Sequence, residues 1–124
     1  MRRANSGWKC PSTITGMRSS WLDRTFRGLR KRYFSKSKSL RNCTVATYGR
    51  MPLAVMAITT QTDKGELIIL NRYYVRFNSL TIFTLLHEMA HIALYEKDRR
   101  TEHGPRWQSE MLRLAKQGAF RELW

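Results

Sequence analysis

The sixteen residues Leu80–Tyr95, LTIFTLLHEMAHIALY, decide how the rest of the chain is read. Their spacing predicts a helix that opens at Ser79 or Thr81 and runs to about Tyr95. Leu80, Phe83, Leu86, Ala90 and Leu94 cover one side, and Ile82, Leu85, Met89, Ile92 and Ala93 cover most of the rest. A helix apolar nearly all round is buried, so its few polar residues need partners. His87, Glu88 and His91 are those residues, and they share one turn in the pattern H-E-x-x-H. Positions i and i+4 lie about 40° apart around the axis and one turn apart along it. Two imidazoles so placed can reach the same ion. Zinc takes nitrogen ligands at about 2.0–2.1 Å, and a catalytic site uses three protein ligands plus a water. Glu88, beside His87, faces the water-bearing position, where a carboxylate serves as general base.

Two ligands on this helix leave the third to another segment. His103, twelve residues after His91, is the one remaining histidine. It precedes Gly104-Pro105, and Pro105 fits the first turn of a last helix with Trp107, Met111, Leu114 and Ala115 inward. A short turn before that helix aims His103 at the site, giving one zinc ion held by His87, His91 and His103. Glu96, Asp98 and Glu102, in the charged loop 96–102, are the alternative ligands.

Upstream, residues 43–48 (CTVATY), 53–60 (LAVMAITT) and 66–70 (ELIIL) read as three strands, the last two joined by a turn at 61–65. Short connections between consecutive strands point to an antiparallel meander, and residues 71–78 to a connection with packed aromatics. Before them, Trp21, Leu22, Phe26, Leu29 and Tyr33 form a helical stripe capped by Ser19 or Ser20. Ser35 to Ser39 reads as a polar loop. The fold class is therefore α+β, with residues 1–18 a flexible basic arm and 19–124 a single domain.

The net charge of +14 is lopsided: residues 1–50 carry 13 Lys/Arg against one acid, Asp23. Arg24, Arg27, Arg30, Lys31, Arg32, Lys36 and Lys38 concentrate it on the first helix and the loop after it. Such a field attracts polyanions, which points to DNA, single-stranded or mixed, as a partner. Trp8, Trp21 and Phe26 lie among these charges; bases can stack on them, although helical spacing assigns Trp21 and Phe26 to the core. Cys10 and Cys43 form no C-x-x-C pair and read as two reduced thiols. Residues 80–94 are interrupted by His87, Glu88 and His91 and fall short of the roughly 20 apolar residues of a span. With no signal peptide visible, the expectation is a soluble intracellular protein, not secreted and without a membrane partner.

H-E-M-A-H (87–91) followed by H-G-P-R-W (103–107), behind the strand end Ile68-Ile69-Leu70-Asn71, resembles the SprT-like domain, the zincin family that includes Spartan. The likeness spans roughly residues 19–117 and is strongest from 66 to 107. It implies helices around a small three-stranded sheet, with the metal between the H-E-x-x-H helix and the next one. It also implies His87, His91 and His103 as ligands, Glu88 as base and Trp107 as a packing aromatic. The activity implied is that of a zinc metalloprotease degrading proteins bound or crosslinked to DNA. Many bacterial relatives carry a cysteine-rich zinc ribbon; without C-x-x-C, any DNA binding here falls to the basic N-terminal region.

The mechanism expected is peptide hydrolysis with Tyr73 or Tyr74 as candidate donors to the oxyanion. Two other functions fit the same residues. A zinc-stabilised nucleic-acid-binding module keeps the metal and the charge but gives Glu88 no chemical role. A narrow peptidase maturing one partner keeps the chemistry and makes the charge incidental.

Overall fold

The computed structural model describes residues 20–95 and 103–121, so the arm at 1–18, Trp8, Cys10 and the acids at 96, 98 and 102 fall outside the described residues. The elements run α1 (Ser20–Tyr33), α2 (Lys38–Arg41), β1 (Thr44–Tyr48), β2 (Ala57–Thr62), β3 (Gly65–Asn71), α3 (Arg72–Val75), α4 (Asn78–Tyr95) and α5 (Pro105–Lys116). This is an α+β arrangement with three strands, as the hydrophobic periodicity predicts.

The sheet is mixed rather than antiparallel, which corrects the meander expectation. Its order is β1-β3-β2. β2 and β3 form the expected hairpin, whereas β1 runs parallel to β3 with Val45 opposite Ile68. Alternating residues specify which face a side chain takes, but not which strand lies alongside. What sets the neighbours is residues 49–56, which carry the chain past the end of β3 before β2 begins. Asn71 fastens that passage: its side-chain amide donates to the carbonyls of Pro52 (3.1 Å) and Val55 (2.8 Å). Its backbone N–H donates to Met56 O at 2.8 Å. The second strand consequently starts at Ala57, not at Leu53. Met51 and Val55 instead pack as loop residues against Ile58 and Ile69 in a small second core.

The hairpin turn demands glycine. Gly65 has φ of +132°, and a Cβ there would meet the backbone oxygen of Asn42 at 2.3 Å. Two short helices appear where the periodicity showed only connections, each made by a cap. Ser37 accepts from Leu40 N and starts α2; Asn71 accepts from Tyr73 N and starts α3. Neither has enough residues to leave a periodic signal.

The main core lies between the helices and one face of the sheet, joining Leu22 and Phe26 of α1, Val45, Ile68 and Leu70 of the sheet, Leu85, Leu86 and Met89 of α4, and Leu114 of α5. Burying each such side chain contributes about 1.5–3 kcal/mol. Phe26 belongs to this core, so it offers no face for base stacking; Trp21 packs against it half-buried. Ala115, expected inward, is exposed. Helix α4 is the central element, and its buried hydroxyls are satisfied locally: Thr84 Oγ1 donates to Leu80 O at 2.8 Å and Thr81 Oγ1 to Phe77 O at 3.0 Å. Helix α5 is tied to the end of α1 by Arg113, which donates to Tyr33 O at 2.9 Å and pairs with Glu110. No helix among the described residues is long and apolar enough to cross a membrane.

Candidate metal centre

Helix α4 projects His87 and His91 one turn apart toward α5, and the turn before Pro105 brings His103 to meet them. The ring centroids form a near-equilateral triangle with sides of 4.9 Å (His87–His91), 5.0 Å (His87–His103) and 4.8 Å (His91–His103). One nitrogen from each ring lies within 4.8 Å of the other two. His91 is buried, His87 half-buried and His103 exposed, so the cluster opens to solvent on one side.

His103 is set by its backbone as much as by its ring. Gly104 takes the N-cap position of α5 with no side-chain cap, and Pro105 occupies the first turn, where a missing N–H costs nothing. Gln108 reaches back from that turn, its side-chain amide donating to His103 O at 3.2 Å. Trp107, on the same turn, then covers the cluster. Its ring lies 4.5 Å from His103, 5.2 Å from His87 and 5.6 Å from His91, nearly parallel to the last.

The three imidazoles could hold a metal ion. Zinc with nitrogens at 2.0–2.1 Å requires ligand atoms about 3.3 Å apart. His87 Nε2 and His103 Nε2 are 3.2 Å apart. Among the described residues the cluster consists of three imidazoles with no thiolate, a set that matches the three protein ligands of an open zinc site.

Glu88 stands next to this triangle, 5 % exposed. Its Oε2 is 4.0 Å from His87 Nε2, and its Oε1 accepts a hydrogen bond from Thr59 Oγ1 at 2.7 Å. The pattern H-E-x-x-H located Glu88, but not Thr59. A threonine in an apolar strand looks like any β-branched residue, and its partner lies 29 positions away. Trp107 carried an inward helical position in the sequence, with nothing to say that it would touch all three imidazoles.

Of the two tyrosines expected as oxyanion donors, Tyr74 has its hydroxyl engaged elsewhere. The Tyr74 hydroxyl donates to Leu53 O, and Tyr73 stacks edge-on with Tyr74 under the Arg76 guanidinium, 4.5 Å from its ring. Of the basic residues, Arg24, Arg27, Lys31, Arg32, Lys36 and Lys38 are exposed or partly so. Arg30 instead braces the fold, its guanidinium donating to Leu40 O at 3.2 Å and covering the Phe26 ring.

The sequence model of the SprT-like family matches residues 22–122, nearly the whole chain. The chain belongs to the SprT-like family. That match takes in both histidine-bearing segments and all three strands. Membership links the chain to zincin-like metallopeptidases and agrees with a metal-binding triad. No curated protein and no solved structure matches it.

Proposed function

We propose that this SprT-like chain is a zinc-dependent endopeptidase in which His87, His91 and His103 hold one zinc ion and Glu88 is the general base. The observation that carries the reading is the pairing of three convergent imidazoles with a buried carboxylate whose Oε2 is 4.0 Å from His87 Nε2. A purely structural site has no use for a carboxylate poised beside an open coordination position. Zinc bound there supplies Lewis acidity toward a water molecule and the scissile carbonyl.

The residues of the chain do the rest. Glu88 Oε2 takes the proton of the attacking water and returns it to the departing amine, so one carboxylate serves as base and then as acid. Trp107 screens the imidazoles and keeps their rings from rotating. The open side at His103 is where a peptide enters.

The substrates proposed are proteins bound or crosslinked to DNA. The basic side chains displayed on α1 and the segment after it favour this reading, since enzyme and substrate held on one polyanion meet at raised effective concentration. The test compares wild type with Glu88→Gln on a basic DNA-bound protein, with and without single-stranded DNA. Wild type is expected to cleave, faster with DNA present, and Glu88→Gln to bind one zinc without cleaving. Equal cleavage by both proteins removes the assignment of Glu88; cleavage indifferent to DNA and salt removes the proposed substrate class.

A further inference from the structure

We infer that Thr59 is a positioning residue for Glu88, an inference that rests on the endopeptidase reading above. The two oxygens of the Glu88 carboxylate have separate roles. Oε1 is held by the Thr59 hydroxyl at 2.7 Å, and Oε2 is the oxygen 4.0 Å from His87 Nε2. Both residues are buried, Thr59 at 0 % and Glu88 at 5 % exposure. A hydroxyl donating to a carboxylate away from water makes one of the stronger neutral-to-ion hydrogen bonds.

The sheet supplies this contact because of its register. Thr59 is opposite Ile68, so the two side chains share a face, and Ile68 belongs to the core beneath α4. Ile58, one residue earlier, points to the other face, into the small second core. Branching at Cβ restricts the Thr59 rotamer, which gives the hydroxyl a fixed aim. A glutamate on a helix otherwise has three side-chain torsions to settle, and ordering them costs entropy. The hydrogen bond also survives proton uptake at Oε2, since Oε1 remains an acceptor. The carboxyl group therefore receives and returns its proton from one place.

Three measurements on the full chain test this. Thr59→Val keeps the shape and removes the hydroxyl; Thr59→Ser keeps the hydroxyl. In the zinc-loaded proteins, Thr59→Val is expected to lower kcat by about 10- to 100-fold, the scale of an angstrom-sized misplacement, with KM and zinc content unchanged. Thr59→Ser is expected to restore most of the rate. In the metal-free protein, Thr59→Val is expected to lower the urea midpoint in the wild-type background and not in Glu88→Ala, because the two residues then no longer interact. Undiminished kcat in Thr59→Val, equal losses in Val and Ser, or additive midpoints would each overturn the role of Thr59. Absence of hydrolysis by wild type would overturn the endopeptidase reading and this role together, whereas a Thr59→Val as active as wild type overturns this role alone.

Discussion

Trp107 lies almost flat against His91, with ring centroids 5.6 Å apart and planes 19° from parallel. The indole thus backs the most buried of the three imidazoles, and its neighbours on α5 hold the third. Its Nε1–H is buried and meets no hydrogen-bond acceptor among the described residues, so the ring acts here through its faces.

Removing that ring is expected to loosen the metal before it unfolds the protein. Trp107→Ala should weaken zinc affinity about 10- to 100-fold, the usual effect of losing a group that orients ligands. It should also destabilise the fold by about 2–3 kcal/mol, below the cost of a fully buried aromatic. Trp107→Phe keeps an aromatic face and loses no hydrogen bond, so its zinc affinity should stay within a few-fold of wild type. Calorimetric zinc titration of the three proteins checks the order.

Zinc itself should stabilise the native state, since the triangle of ligands exists only there. At a free concentration of about 100 times Kd, the gain is about 2.7 kcal/mol, and a chelator should reverse it. His103→Ala, which removes the link to α5, is expected to abolish most of this gain while barely changing the metal-free protein, because His103 is exposed. Thermal unfolding with and without zinc measures both. An equal gain in His103→Ala would take it out of the ligand set.

Asn71 is expected to be one of the costliest polar positions in the fold. Its side chain serves two carbonyls and one N–H. Asn71→Ala should lower stability by about 2–4 kcal/mol through the buried groups left behind. Asn71→Asp should do no better, because it sets a carboxylate against the carbonyls of Pro52 and Val55. Urea unfolding of the two variants tests this directly.

Cys43 makes the alkaline limb of stability steeper. Burial, with Glu66 nearby adding to it, pushes its thiol from 9.0 up to about 12. The folded state favours the protonated thiol, so this contribution is intact below the unfolded pKa and is lost as pH rises through the folded one. Cys43→Ala should therefore lose less stability than wild type between about pH 9 and about pH 12, as read by urea unfolding.

Much of the candidate site was legible because helical geometry is local. His87, Glu88 and His91 follow from one turn of α4, and His103 from the shortage of other histidines. The helices α1, α4 and α5 announced themselves by their apolar stripes. The mixed sheet did not, since residues 44–48 would read as a strand in the same way beside either neighbour. Asn71 read as the residue at a strand end; that it carries the crossover depends on carbonyls 16 and 19 positions away. Thr59 was invisible for the same reason: its meaning is a distance to another segment.

The strand that carries Thr59 has a hydrogen-bonded neighbour on one side only, because β2 is at the rim of the sheet among the described elements. Its outer backbone groups are a seat on which an extended chain can pair. That edge strand also carries the hydroxyl that the Glu88 carboxylate accepts from. One short strand thus joins the rim of the sheet to the carboxylate beside the three imidazoles.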